Sequence, residues 1–212
     1  MKIKILTAFP GFVNSIKDFS IINKAIEKEL VEIEIYDLRN WGLSRYRQID
    51  DRPYGGGAGM VYMVEPIDKA LGQICTSHSY KVLTSAKGTL LNYEKCLSLS
   101  KKRDLVIVCG HFEGVDHRVS ENLIDEEISI GNYILSGGEM ASMVMVDSVV
   151  RLIPGVIKRE ALLEETNSEN YEYPQYSRPE NYKGMSVPKV LLSGDHEQTR
   201  KWRKAKMKRR TQ

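Results

Sequence analysis

Four glycines lie within the five residues 55–59 of this chain. Glycine loses more backbone entropy on folding than any other residue, so an ordered run of this kind is typical of left-handed backbone or of close contact with a ligand. The flanks argue against a flexible tether, because Arg52 and Tyr54 precede the run and the largely apolar segment 60–64 follows it. We therefore expect a wall at which a substrate or cofactor meets bare backbone, formed by Gly56, Gly57 and Gly59.

Phosphate-binding loops are the first alternative for such a run. A P-loop needs a lysine and then a serine or threonine after its last glycine, whereas Met60 follows Gly59. A dinucleotide-binding fingerprint needs Gly-x-Gly-x-x-Gly after the first strand, and the first turn, at 8–11, reads Ala-Phe-Pro-Gly. Neither kind of phosphate site is therefore predicted.

Three other segments combine a strand end with glycine at a turn, namely 83–88, 109–114 and 130–139. Apart from Lys87, they hold no basic residue placed to bind a triphosphate. Backbone groups and apolar side chains would dominate a pocket formed by these segments. That composition suits an adenosine-like ligand with little charge.

The elements that must position these segments alternate along the first 150 residues. Strands are predicted at 3–7, 31–36, 80–84 and 105–109. Helices are predicted from Pro10 to about Leu30, from 65 to 77, and from the capping residue Asn92 to about Lys102. The alternation predicts right-handed βαβ units and an α/β fold, with a mostly parallel sheet flanked by helices. In such a sheet, ligands bind beyond the carboxyl ends of the strands.

Composition changes near Pro154, and this change predicts three regions. We expect a ligand-binding α/β domain over 1–157 and a polar, acidic linker or mobile loop over 158–179. A small helical C-terminal region is expected over 180–212, with Asp195 as the cap of its last helix.

Positive charge is concentrated at the end of the chain. Residues 200–210 contain eight basic residues and no acid, whereas the rest of the chain has a net charge of −5 within a total of +3. Such a tail indicates binding to a polyanion, chiefly nucleic acid, and Trp202 among the cations could stack on a base. The alternative is a solvated helix end, where cations interact favourably with the helix dipole.

Several classes of protein and site are excluded by composition. No stretch approaches 18 uninterrupted apolar residues and the first residues do not resemble a signal peptide, so we expect a cytoplasmic protein with no membrane partner. The cysteines, Cys75, Cys96 and Cys109, lack metal or redox spacing, and we expect all three to be buried and reduced. The four histidines are scattered, so no metal site is predicted.

Six motifs follow one another in order along the chain: DDRPYGGGAGM at 50–60, CGHFEGVD at 109–116, SIGNYILSGGE at 129–139, DSVVRLIPGV at 147–156, YSRP at 176–179 and VPKVLLSGDH at 187–196. Together they resemble the bacterial tRNA (guanine-N1-)-methyltransferases, a family of knotted methyltransferases of the SPOUT class. Long motifs in a fixed order over nearly the whole chain make this resemblance specific.

The resemblance implies a deep trefoil knot in the α/β fold, S-adenosylmethionine bound in that knot, and an obligate homodimer whose active sites use both chains. It implies methyl transfer to N1 of the guanine at tRNA position 37, beside the anticodon. Mg²⁺ is a candidate second cofactor, and 180–212 would be a tRNA-binding region.

The resemblance also implies residue roles. Arg151 matches the arginine that stabilises negative charge at guanine O6, and Glu113 matches a residue near the methionine end of the cofactor. The positions that match cofactor-binding residues are Leu83, Thr84, Ser85, Ala86, Gly110, Glu113, Gly114, Ile130, Gly131, Asn132, Tyr133, Ile134, Leu135, Gly137 and Gly138.

The general base of the family is an aspartate in the linker, and this sequence departs from that pattern. Counting forward from Arg151 puts the position at Thr166, whereas counting back from Arg178 puts it at Glu164. Glu165 lies between the two, and we keep Glu165 and Glu164 as candidate bases because the reference pKa values of glutamate and aspartate differ by only about half a unit. The alternative is that these acids are solvated loop residues.

Two further departures concern Asn132, where an aspartate is common in the family, and the C-terminus. The chain stops at Gln212, before the family's usual C-terminal helices, so we expect a shortened RNA-binding region. Two alternatives to the guanine-N1 enzyme therefore stay open. One is a divergent methyltransferase that acts on another RNA nucleotide, and the other is a non-catalytic RNA-binding homologue.

Overall fold

A computed structural model describes residues 1–18, 20–158, 162 and 170–209. The chain folds into two compact units, Met1–Ile157 and Lys158–Gln212.

A parallel sheet forms the centre of the first unit. Its strands are β1 (Lys2–Thr7), β2 (Glu32–Asp37), β5 (Ser79–Leu90), β6 (Asp104–Cys109) and β7 (Glu126–Ser129), and a separate antiparallel pair is formed by β3 (Asp50–Asp51) and β4 (Val61–Tyr62). Over the described residues the sheet order is β2-β1-β6-β5-β7, and every neighbouring pair is parallel. The predicted α/β class with a mostly parallel sheet is therefore confirmed.

Helices flank this sheet: α1 (Pro10–Asn14), α2 (Ser20–Glu27), α3 (Val64–Ile74), α4 (Tyr93–Leu99), α5 (His117–Asn122) and α6 (Gly138–Val150). Pro10 occupies the first turn of α1, and the Asn92 side chain accepts a hydrogen bond from Lys95 N–H at 2.8 Å, as predicted for a cap. The single helix predicted from Pro10 to Leu30 is wrong, because a 3₁₀ turn at Ser15–Asp18 separates α1 from α2.

The centre of the sheet explains why it can hold a site rigidly. All six residues of β6 are buried, and its apolar run Leu105–Cys109 packs on both faces, as expected for an inner parallel strand. The edge strand β2 is more exposed, and its Glu34 pairs with Lys2 of β1 at 2.8 Å. The charged edge discourages further strand addition.

Strand β5 is longer than predicted, since it continues to Leu90 rather than ending at Thr84. Both Thr84 and Thr89 pair with Ile128 of β7, so residues 85–88 bulge out of the ladder. Gly88 permits this path, because a Cβ there would lie 2.5 Å from the Glu127 carbonyl carbon. The polar composition of 85–90 concealed the continuation of the strand.

A buried ion pair joins two central strands. Lys4 Nζ of β1 donates to Asp104 Oδ2 at 2.9 Å and to Ile74 O at 2.7 Å. Ser79 and Thr76 also donate to Asp104 Oδ2. Burial opposes ionisation of Asp104, but the hydrogen bonds from Ser79 and Lys4 outweigh it and lower the pKa of this carboxyl.

The cysteines are free, and two of them meet the prediction. Cys96 and Cys109 are buried, and burial raises the pKa of the Cys109 thiol to about 12. The prediction is wrong for Cys75, which is only half-buried because it caps the carboxyl end of α3.

The second unit consists of short elements: β8 (Asn170–Tyr171), β9 (Asn181–Tyr182), β10 (Met185–Ser186), α7 (Lys189–Leu192), α8 (His196–Lys206) and β11 (Lys208–Arg209). Asp195 caps α8 as predicted, since its Oδ1 accepts from Glu197 N–H and Gln198 N–H, both at 2.9 Å. Inside this unit the Arg203 guanidinium lies 4.8 Å from the ring centre of the buried Tyr173. In the described part of both units, no helix has the length and apolar content needed to cross a bilayer.

The Lys4–Asp104 pair generates a stability prediction. Lys4→Met is expected to lower the free energy of unfolding by about 3–5 kcal/mol, because it leaves a buried carboxylate without its cation. Lys69→Met is the matched control, since Lys69 is exposed and pairs with Glu65 at 2.7 Å one helical turn away. Its cost should be about 0.5 kcal/mol or less. Urea denaturation at pH 7 measures both variants, and equal effects would contradict the assignment.

The lowered pKa of Asp104 also predicts how the stability difference between wild type and Lys4→Met changes with pH. A carboxyl whose folded pKa is depressed contributes stability above its unfolded pKa and loses that contribution as the pH falls through the folded pKa. The stability difference between wild type and Lys4→Met should therefore narrow below about pH 4.

Candidate functional site

A cavity of about 440 Å³ opens at the carboxyl ends of β5, β6 and β7. Its walls are the bulge after Thr84, the loop after Cys109, the loop after Ser129 and the start of α6. The predicted cofactor-binding residues that line it are Leu83, Thr84, Ser85, Ala86, Gly110, Glu113, Gly114, Ile130, Gly131, Tyr133, Ile134, Leu135, Gly137 and Gly138. The volume lies within the usual range for small-molecule sites, about 300–1,000 Å³.

Gly138 brings three elements of the cavity together. Its N–H donates to Gly110 O at 2.6 Å, and Gly110 N–H donates to Thr84 Oγ1 at 3.2 Å. The Thr84 hydroxyl in turn donates to Val108 O at 3.2 Å. A Cβ at position 138 would lie 1.9 Å from Thr84 Oγ1 and 2.8 Å from Gly110 N, so this junction of α6, β6 and β5 requires glycine.

A buried carboxylate lies behind the cavity wall. Glu139 is only 5% exposed, and its Oε1 accepts from the Thr7 hydroxyl at 2.8 Å. Its Oε2 lies 3.6 Å from Nδ1 of His111, which lines the cavity. Gly137 makes this approach possible, since a Cβ there would lie 2.2 Å from His111 Nδ1 and 2.4 Å from Glu139 Oε2. The amino end of α6 favours a carboxylate at this place.

Aromatic rings hold His111 in position. The ring centres of Phe9, Tyr62 and Phe112 lie 4.9, 6.4 and 4.7 Å from that of His111. His111 Nδ1 is buried and has no hydrogen-bond partner among the described residues. Burial, followed by the nearby Glu139 carboxylate, raises the pKa of the Tyr62 hydroxyl. The cluster therefore forms a rigid, largely apolar surround for one polar pair.

The pairing of His111 with Glu139 was not predicted from the sequence. The two residues are 28 positions apart, and an antiparallel bridge between His111 and Gly137 brings them together. Phe112, in the same loop, has a φ of 56°, which is rare for a residue with a side chain and is often found at functional sites. The available signal was that both residues flank glycines in the two motifs 109–116 and 129–139.

The glycine run has the left-handed backbone that was predicted. The φ angles of Gly55, Gly56, Gly57 and Gly59 are 84°, 81°, 127° and 79°. The run is held beside the cavity, because Glu113 N–H donates to Met60 O at 3.1 Å. A Cβ on Gly59 would lie 2.7 Å from Glu113 Cγ. The run therefore packs against Glu113, which lines the cavity, although the glycines of the run do not themselves line it.

Arg151 lies outside this first cavity. It follows the last residue of α6 and lines a second cavity of about 310 Å³ together with Tyr93, Cys96 and Ser148. Ile130 lines both cavities, which places them on either side of one loop.

Three other predicted residues are not placed in the cavity. Asn132 is exposed and does not line it, although Gly131 and Tyr133 on either side do. Glu164 and Glu165 lie outside the described residues. Over the described part of the chain, no three histidine, cysteine or acidic side chains group closely enough to hold a metal ion.

The Gly138 junction can be tested by adding one methyl group. Gly138→Ala should abolish cofactor binding and lower the free energy of unfolding by about 1–3 kcal/mol, because Cβ has no space beside Thr84 and Gly110. Gly72→Ala is the matched control, since Gly72 lies in α3 with open space around its Cβ position. That substitution should stabilise the protein by about 0.5–1 kcal/mol. Calorimetric titration with S-adenosylmethionine and thermal unfolding would measure both, and normal binding by Gly138→Ala would contradict the role of the junction.

Comparison with known proteins identifies the family. The model of the family described as tRNA (Guanine-1)-methyltransferase TrmD matches residues 1–212. The tRNA (guanine-N(1)-)-methyltransferase of Mycoplasmopsis agalactiae is 48% identical over 206 residues, which cover 96% of this chain and 90% of that protein. The enzyme of the same name from Carboxydothermus hydrogenoformans is 47% identical over 206 residues, 96% of this chain and 81% of its own. That of Thermotoga maritima is 45% identical over 214 residues, 100% of this chain and 87% of its own. The chain belongs to the tRNA (guanine-1)-methyltransferase family.

Proposed function

We propose that this protein transfers a methyl group from S-adenosylmethionine to N1 of the guanine at tRNA position 37, beside the anticodon. The observation that carries the proposal is the cavity at the carboxyl ends of β6 and β7 and the bulge of β5, which three separate glycine-containing segments of the sequence assemble. Family membership and relatives named tRNA (guanine-N(1)-)-methyltransferases support the choice of reaction. The proposal includes a cytoplasmic location, because tRNA is the proposed substrate.

The residues of the cavity fit S-adenosylmethionine. Leu83, Ile134 and Leu135 offer apolar contacts for the adenine ring, and backbone groups of the bulge 85–88 can bind its polar edge. Glu113 offers a carboxylate for the ammonium group of the methionine part. When bound, the cofactor supplies a methyl group on a sulfonium centre with a good leaving group. No side chain therefore has to activate the donor.

The acceptor, unlike the donor, must be activated, because N1 of guanine carries a proton at neutral pH. A base has to remove that proton, and we assign this role to Glu165, with Glu164 as the second candidate. Arg151 is assigned to O6, where its guanidinium would stabilise the negative charge that develops during transfer. Mg²⁺ is a candidate assistant that would act through the RNA or through the deprotonation step.

We propose that the active unit is a homodimer that covers α6. Met140 and Val144 are 54% and 44% exposed although they lie one turn apart on a helix that is apolar on nearly all sides. Such a helix is normally covered all round, and Ile134, 82% exposed, extends the apolar surface toward the cavity. Because Arg151 follows the same helix, a partner docked here would add its own residues near Arg151.

We also propose that the fold contains the trefoil knot of its class, with 1–157 as the cofactor domain, 158–179 as an active-site linker and 180–212 as a tRNA-binding region. The path of 130–137 supports the knot. This segment leaves the edge strand β7 and returns past the bulge of β5 to bridge His111 beyond β6. The basic residues of α8 support tRNA binding by the C-terminal region.

The reaction can be tested with labelled S-adenosylmethionine and two tRNA transcripts that differ only in guanine or adenine at position 37. Label should enter the guanine transcript, and reverse transcription should stop at that nucleotide, because a methyl group on N1 blocks base pairing. Equal labelling of both transcripts would show that the target lies elsewhere. Cofactor binding without labelling of either would favour a non-catalytic RNA-binding protein.

The base can be assigned with the pair Glu165→Ala and Glu164→Ala, each serving as control for the other. The variant that lacks the base should lose about 10²–10⁴-fold in single-turnover rate, while its binding of cofactor and tRNA stays unchanged. Rapid mixing of excess enzyme with labelled cofactor and tRNA measures that rate. Wild-type rates in both variants would rule out both glutamates.

A further inference from the structure

A short hairpin of the first unit plays no part in the cavity. Leu43 and Gln48 exchange both backbone hydrogen bonds, at 2.7 and 2.9 Å, and close a four-residue tip at 44–47. We call residues 43–48 the arginine hairpin, because its tip carries Arg45 and Arg47. From the hairpin, the chain passes through Ile49 into β3 and then continues into the glycine run.

The tip of the arginine hairpin has a constrained backbone. Ser44 and Arg47 have φ angles of 59° and 52°, in the left-handed region that residues with side chains rarely adopt. Gly42 permits the closure, because a Cβ there would lie 2.4 Å from the carbonyl carbon and oxygen of Arg47. Strain of this kind costs free energy and is concentrated at functional sites, so the fixed shape calls for a functional reason.

The tip presents two cations and an aromatic ring to solvent. Tyr46 is 73% exposed, and the Arg45 guanidinium lies 4.7 Å from its ring centre. Arg45 also donates to the Tyr46 hydroxyl. The two side chains therefore hold each other in place above a rigid turn.

These arginines have no acidic partner, unlike several other surface cations. Lys69, Lys201 and Arg118 each pair with a carboxylate within 2.8 Å. Among the described residues, neither Arg45 nor Arg47 forms an ion pair. Residues 38–48 contain three arginines and no acid, so the field around the tip is positive.

A second exposed aromatic lies six residues beyond the arginine hairpin along the chain. Tyr54 is fully exposed at the start of the glycine run, beside Arg52. The connecting residues Gln48–Asp51 span roughly 13 Å at about 3.3 Å per residue. Between the two rings the chain carries Asp50 and Asp51 as well as Arg52, so the positive surface is confined to the tip, where Arg45 and Arg47 flank Tyr46. Cations beside an exposed ring are typical of surfaces that bind single-stranded nucleic acid.

We propose that the arginine hairpin is an RNA-contact surface of the first unit, in which Arg45 and Arg47 each contact a backbone phosphate and Tyr46 stacks on an unpaired base. The inference rests on the proposed function, which makes tRNA the substrate and its anticodon loop the nearest single-stranded segment. It adds a second RNA contact that is separate from the basic tail of the other unit.

The test measures binding of an unmodified tRNA transcript with guanine at position 37 at several salt concentrations. Arg45→Ala/Arg47→Ala should weaken binding at least tenfold near 0.1 M salt. It should also reduce the slope of log K against log salt by about 1.4, the value for two single-stranded phosphates. Lys24→Ala/Lys28→Ala is the matched control, because it removes two exposed cations of the same unit, one in α2 and one in the turn that follows it. That control should keep the wild-type affinity and slope.

The aromatic contact has its own pair of variants. Tyr46→Ala should weaken tRNA binding roughly 5- to 100-fold without changing the salt slope, because base stacking carries no charge. Tyr46→Phe keeps the ring and should bind within about twofold of wild type. The Arg45→Gln/Arg47→Gln variant, which keeps a polar side chain without the charge, should reproduce the lowered slope.

The outcomes separate this inference from the proposed function. Wild-type affinity and slope in both arginine variants, in a protein that methylates the transcript, would overturn the hairpin proposal alone. Absence of methylation by wild type would overturn the proposed function, whatever the hairpin does. A change of oligomeric mass with unchanged tRNA binding would show that the tip contacts a second copy of the chain and would also overturn the proposal. Thermal midpoints and cofactor affinity in each variant confirm that the cavity is intact.

Discussion

Helix α6 begins against the backbone that leaves β6, with a 2.6 Å hydrogen bond from Gly138 to Gly110. This close contact sets the distances between the elements that form the cavity. It places Gly137 where His111 and Glu139 can meet, and it directs the preceding loop across the end of β5. Since the contact joins backbone to backbone, its geometry does not depend on a flexible side chain. The cavity is therefore shaped by the same hydrogen bonds that hold the sheet to its helix.

Two buried polar pairs mark opposite ends of the sheet and differ in what surrounds them. Near its amino end, Lys4 and Asp104 share several further hydrogen bonds that fix the pairing of β1 with β6, although Asp104 Oδ1 is buried without a partner among the described residues. At the carboxyl end, His111 and Glu139 lie directly behind a ligand-sized space, and one histidine nitrogen is left without a described partner. Incomplete satisfaction of a buried group is costly, and it is tolerated most often where a ligand or water completes the site.

Local signals in the sequence were sufficient for much of the fold. The apolar run of β6 and the caps at Asn92 and Asp195 are decided by neighbouring residues, and all three were predicted correctly. The bulge in β5 depends on pairing with β7, which no local pattern reveals. The segments around the cavity were found because glycines follow strand ends, whereas the pairing of His111 with Glu139 depends on a long-range bridge and was missed. Glu164 and Glu165 of the linker lie outside the described residues, so their roles rest on the sequence.

A cavity whose lining includes five glycines has a consequence for inhibition. A competitive inhibitor that packs against Gly137 and Gly138 would contact positions at which a side chain has no space. At position 138 a larger side chain is excluded because its Cβ would lie 1.9 Å from Thr84 Oγ1, so the protein cannot block the inhibitor there without disrupting its own fold. Resistance would have to arise at peripheral apolar side chains such as Ile134. Compounds that make no contact with those side chains would be the least affected by resistance substitutions.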